Sequence, residues 1–90
     1  MDSISKTSRQ AFRRSNESER REAYNLGRLK LLKQLGKSLH RCVDDYAKSN
    51  GCRWTVFNTL GAGVINHFKN MSEVEEHLYD VYAIRKMQRD

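Results

Sequence analysis

The chain has 90 residues, no proline and a formal net charge of +6 at neutral pH. That length holds one domain at most, with a core near the lower limit for folding alone, so a homodimer is an expected way to bury more apolar surface. Two cysteines exclude a disulfide scaffold, and no apolar run approaches the roughly 18 residues that a membrane span needs.

The charge is unevenly placed. Residues 1–37 hold ten Lys/Arg against four Asp/Glu, whereas residues 38–90 hold seven of each. An excess confined to the N-terminal part points to a polyanionic partner, nucleic acid above all. The first residues are polar and basic, with no apolar leader segment, so a cytoplasmic setting with reduced thiols is expected, in a bacterial nucleoid or a phage-infected host cell.

Residues 1–15 carry only Ile4, Ala11 and Phe12 as apolar anchors among Ser, Arg and Lys, too few to offset the entropy of ordering them. A mobile basic arm is expected there, followed by a helical domain over 16–90. Asn16 with Glu19 fits a capping box, and Glu17 and Glu22 complement a helix N-terminus. Leu32, Leu35, Leu39, Cys42 and Tyr46 then follow a 3-4-3-4 spacing, flanked by Leu31 and Val43. This predicts one long helix over 16–49, about 50 Å in length, with Asn50 and Gly51 as its stop. Gly27 and Gly36 lie inside it, each at a cost of roughly 1 kcal/mol relative to alanine.

A second helix is expected over 53–69, where Val56, Leu60, Val64 and Phe68 fall four apart. A third, over 72–88, has Ser72 and Glu75 as a capping box, Met71 at the staple position, and Val74, Leu78, Val81 and Tyr82 on its buried face. Arg85, Lys86 and Arg89 complement the dipole at its end. The fold expected is therefore all-α: one long helix and two short helices folded back on it, dimeric through a coiled-coil stripe. Leu32, Leu35, Leu39, Cys42, Tyr46, Leu60, Val64 and Leu78 are the expected core or oligomer residues.

Gly61 and Gly63 in "TLGAGVINHF" raise the question of a phosphate-binding loop. A dinucleotide fingerprint needs a further glycine where Asn66 stands, and a Walker loop needs Gly-Lys-Ser/Thr where Val64 and Ile65 stand. Small residues on a helix that admit a close neighbour are the favoured reading. His40, Cys42, Cys52, His67 and His77 contain no Cys-x-x-Cys or His-x-x-x-His pair, so no metal centre is expected. Cys42 is assigned to the core. Asp44 and Asp45 are adjacent rather than on one helical face, and no nucleophile has a base at a recognisable spacing, so neither cofactor nor enzymatic activity is expected.

What remains is surface. Lys30, Lys33, Lys37 and Arg41 recur at three- and four-residue intervals and would form a basic ridge on the long helix. Arg9, Arg13, Arg14, Arg20 and Arg21 extend it upstream.

From Leu39 onward the order of features resembles the GapR-type nucleoid-associated proteins and a small double-stranded-DNA-binding protein of phages. Tyr46, Ala47, Asn50, Gly51, Val56, Phe57, Glu75, Glu76, Leu78, Tyr79 and Tyr82 carry the likeness. The resemblance implies a homodimer that clamps duplex DNA with little sequence preference. It departs in the second helix, which in the GapR type carries a dense Lys/Arg run; here only Arg53 and Lys69 are present. A small DNA-binding accessory protein is the leading expectation, with double-stranded DNA as partner. The alternative is a phage-type inhibitor or adaptor whose basic arm docks in an acidic groove on another protein.

Overall fold

Gly27 and Gly36 shape the first half of the fold. In the computed structural model, which describes residues 16–60 and 65–88, both have positive φ, 86° and 66°. Each therefore interrupts the helix that the apolar spacing predicts. Helix α1 runs Glu17–Leu26 and α2 runs Arg28–Leu35. At Gly36 the backbone is left-handed, and its N–H closes α2 on the carbonyls of Leu32 and Lys33. The chain leaves that turn extended, as strand β1, Lys37–Arg41.

A short helix, α3, Asp45–Ser49, follows, its N–H at Ala47 capped by the Asp44 carboxylate at 3.0 Å. Asn50 and Gly51 end it, and the chain returns as β2, Trp54–Asn58, and then β3, Asn66–Phe68. The three strands form an antiparallel sheet in the order β1-β2-β3. Helix α4, Met71–Gln88, closes the described chain. It starts on Asn70, whose side chain accepts from the Glu73 N–H at 2.9 Å while the Glu73 carboxylate accepts from the Lys69 N–H at 3.1 Å. That reciprocal cap lies two residues before the expected Ser72–Glu75 pair.

The all-α expectation is therefore overturned: four helices and a three-stranded sheet make up the described residues. The 3-4-3-4 stripe and the coiled coil built on it fail because Gly36 separates Leu32 and Leu35 from Leu39, Cys42 and Tyr46. The helix expected over 53–69, on which part of the family resemblance rested, is instead the β2–β3 hairpin. Trp54, Thr55, Val56 and Phe57 are β-branched and aromatic, the types that favour a pleated surface. The four-apart series whose ends are Val56 and Phe68 is a coincidence, since those two residues stand on two strands that share a face. Gly61, Gly63 and Val64 fall in the connection between β2 and β3, outside the described residues, as do residues 1–15.

The register pairs Leu39 with Val56 and Trp54 with Phe68. These four side chains turn toward α2 and α4, where they meet Ala23, Leu31, Leu32, Leu35, Val74, Leu78 and Tyr82. Leu31, Leu78, Val56 and Val74 are fully buried; each removes apolar surface from water at a gain of about 1.5–3 kcal/mol. Of the expected core set, Leu32, Leu35, Cys42 and Leu78 are buried, and Leu39 packs partly against the core. Tyr46 and Leu60 are 80% and 95% exposed. None of the described helices is long and apolar enough to cross a membrane.

Polar contacts dock α1 onto α4. Arg20, only 15% exposed, ion-pairs with both Glu76 and Asp80, and its guanidinium lies 5.7 Å from the centre of the Tyr79 ring. Beside it Tyr82 donates to Glu22, which also pairs with Lys86 at 2.9 Å. The Tyr82 hydrogen bond, and then Lys86, lower the Glu22 pKa below its ordinary value.

Replacing Gly36 by alanine should destabilise the fold by about 1–2 kcal/mol, because the left-handed conformation and not space is the obstacle; a Cβ there would meet only Thr59 Oγ1, at 3.8 Å. Arg20→Met should cost about 1–3 kcal/mol, since it takes the shared cation away from two half-exposed carboxylates. Urea denaturation of each variant against the parent chain measures both.

Candidate functional site

The basic residues picked out by the sequence divide into three groups. Arg9, Arg13 and Arg14 lie outside the described residues. Arg20 and Arg21 are engaged within the fold: Arg20 docks α1 on α4, and Arg21 pairs with Glu17 one turn away at 3.5 Å. Lys30, Lys33, Lys37 and Arg41 take part in no salt bridge among the described residues. They do not form one helical ridge, because Lys30 and Lys33 stand on α2 whereas Lys37 and Arg41 stand on β1. Arg41 extends over the Trp54 ring, 5.5 Å from its centre.

The break at Gly36 replaces the ridge with a corner. Lys33 in the last turn of α2 and Arg85 near the end of α4 line a cleft of about 410 Å³, together with Gln34, Gly36, Asn58 and Leu60. On the other side of Gly36, Lys33 and Lys37 line a second cleft of about 360 Å³ with Ser38, His40 and Thr59. Among the described residues, no Asp or Glu lines either one. Arg85 donates from Nη1 to the Leu35 carbonyl at 3.0 Å, and Lys37 donates to Asn58 Oδ1 at 2.9 Å. Burial lowers the Lys37 pKa from its ordinary value, and the positive charge of Arg85 adds to the effect. Like charges have thus been brought together with no acidic side chain lining the clefts among the described residues. The sequence assigned Arg85 only to the helix dipole; its proximity to Lys37 depends on packing across the fold.

A different chemistry gathers where β1 and β2 meet α3. Cys42 follows β1, Cys52 precedes β2, and His67 is the middle residue of β3. The Cys42 N–H donates to the Arg53 carbonyl at 2.9 Å, and Thr55 pairs with His67 across the hairpin. These two constraints bring the three side chains together. Nδ1 of His67 lies 3.5 Å from Cys52 Sγ and 3.9 Å from Cys42 Sγ, and the three donor atoms all fall within 4.8 Å of one another. Thr55 Oγ1 is 3.3 Å from the same ring nitrogen. Both cysteines are free thiols and buried, whereas His67 is exposed. A hydrogen bond with Cys52 lowers the Cys42 pKa, and burial raises that of Cys52.

No local spacing marks this cluster. Cys42, Cys52 and His67 are separated by ten and fifteen positions, and only antiparallel pairing makes them neighbours. The expectation that Cys42 fills a core stripe is corrected in its surroundings: it is buried, beside a thiol and an imidazole.

His77 on α4 faces Phe68, with ring centroids 5.2 Å apart, and its Nε2 is buried without a hydrogen-bond partner among the described residues. Burial lowers its pKa from the ordinary 6.5, Lys37 adds to that, and Asp80 opposes it. The unfolded chain then binds more protons than the folded one as the pH falls below about 6.5. The stability associated with neutral His77 should be fully present above that pH and decline below it. His77→Leu should flatten this part of the profile of denaturation midpoint against pH, relative to the parent chain.

No protein-family model matches this chain, and no curated protein or solved structure matches it.

Proposed function

We propose that this chain is a small non-enzymatic accessory protein that binds duplex DNA through its phosphates, with little sequence preference. The observation that carries the reading is the convergence of Lys33, Lys37 and Arg85 on a corner whose clefts are lined by no carboxylate among the described residues. Holding three cations together is unfavourable unless an anion offsets their repulsion, and a phosphate oxygen between them would do so. Lys30, exposed one turn earlier on α2, extends the positive surface.

Cations in this setting suit phosphate groups, which favours contact with the backbone over reading of base edges. Arg9, Arg13 and Arg14 would add long-range attraction from the N-terminal segment. Arg20 has no part in binding, because Glu76 and Asp80 already neutralise it.

Fluorescence anisotropy of a short labelled duplex, titrated at low and high salt, tests the reading. The combined Lys33→Gln, Lys37→Gln and Arg85→Gln variant should weaken binding uniformly across duplex sequences. It should also reduce the slope of log affinity against log salt by about 2–3 units, close to one for each phosphate that a removed cation had neutralised. A thermal melt of the variant separates a weakened interface from a weakened fold. Binding that is weak in the parent chain, or a slope the triple substitution leaves unchanged, overturns the proposal. The protein-binding adaptor would then be the reading to pursue.

A further inference from the structure

We propose that Cys42, Cys52 and His67 form a binding site for one zinc ion, held by the two thiolates and by Nδ1 of the imidazole. The inference goes beyond DNA binding and does not depend on it. Thiolate and imidazole donors together select a borderline-soft divalent cation over calcium or magnesium, which take oxygen ligands.

The spacing fits that ion. With Zn–S near 2.3 Å and Zn–N near 2.0–2.1 Å, ligand atoms on a tetrahedron stand about 3.4–3.8 Å apart. The imidazole nitrogen lies 3.5 and 3.9 Å from the two sulfurs, so small side-chain adjustments complete three corners. The three donors come from three separate segments of chain, so their meeting owes nothing to adjacency in sequence. Cys42 is fixed to the backbone of the β2 segment through the Arg53 carbonyl, Cys52 through its own N–H to the Ala47 carbonyl at 3.0 Å, and His67 through the β2–β3 ladder. The site is therefore held in place by the fold before any ion binds.

Three protein ligands leave one position open. Beside the cluster a cleft of about 300 Å³ is lined by Asp44, Asn50, Cys52, His67 and Lys69, among others, and solvent in that cleft supplies the fourth ligand. Binding releases the protons of both thiols to solvent and changes no oxidation state, so affinity should rise with pH. Bound zinc would tie β1, β2 and β3 together at the end of the sheet nearest α3, and would stabilise the folded chain by mass action.

The test uses the full chain, reduced and freed of metal, titrated with cobalt(II) and then with zinc. One equivalent of cobalt should produce the near-ultraviolet charge-transfer band of thiolate ligation and the visible bands of a tetrahedral site, and zinc should displace it. Zinc should also raise the melting temperature.

His67→Gln, at an exposed position, should weaken binding by more than the roughly ten- to hundred-fold lost with an outer hydrogen-bond partner. Cys52→Ser should remove the band, although its buried position makes the fold itself vulnerable; the histidine variant keeps the test decisive if it does. His40→Gln, on the same sheet face but outside the cluster, should leave affinity unchanged. Absence of the thiolate band, an equal loss in the His40 variant, or conversion of the two cysteines to a disulfide with no uptake of metal by the reduced chain would each overturn the site.

Discussion

The left-handed turn at Gly36 is the constraint on which the remaining arrangement rests. Its carbonyl accepts from both the backbone N–H and the hydroxyl of Thr59, at 2.9 and 3.1 Å. The end of β2 is thereby held against the start of β1, and Lys37 falls opposite Asn58. From that pairing the register follows residue by residue until Cys42 meets Arg53. A one-residue slip would turn Leu39 and Val56 away from the helices and would separate the thiols. Backbone geometry at one glycine thus fixes the core, the cationic corner and the thiol–imidazole cluster together.

The two candidate sites occupy opposite ends of β1 and use opposite electrostatics. At the Gly36 end, cations are gathered at a helix terminus and a strand start, where an anion would offset their repulsion. At the Cys42 end, neutral thiols and an imidazole are gathered in a niche that a cation would complete. Neither site needs the other, and the sheet between them is short. The basic N-terminal segment adds to the overall positive charge of the chain.

Much of α4 was legible in the sequence because its apolar positions, Val74, Leu78 and Tyr82, keep helical spacing over a stretch with no glycine. The opposite holds from Gly36 to Phe68. Leu39 and Cys42 continue the helical spacing of Leu32 and Leu35 by accident, and the strength of that pattern outweighed two glycines whose positive φ only a three-dimensional context reveals. Trp54 to Phe57 carried a fair strand signal, yet four residues are too few to prevail over a longer apparent period. The cysteine–histidine cluster was illegible for a different reason. Its donors are joined by pairing between strands, and local spacing contains no record of it. The charges were legible in number but not in allegiance: Arg20 belongs to the interior, and Arg85 to the corner.

Lys37 and Arg41 also bear on the behaviour of the protein at high concentration. Among the described residues the order β1-β2-β3 makes β1 an edge of the sheet, and an edge strand is a template on which a second chain can add by backbone hydrogen bonding. A strand of five residues with a cation at each end is a poor template, since a neighbouring copy would bring like charges into register. Selection for solubility alone would then preserve these two cations, whatever else they touch. Without them, self-association through the sheet edge would appear first, in a chain whose own fold remained intact.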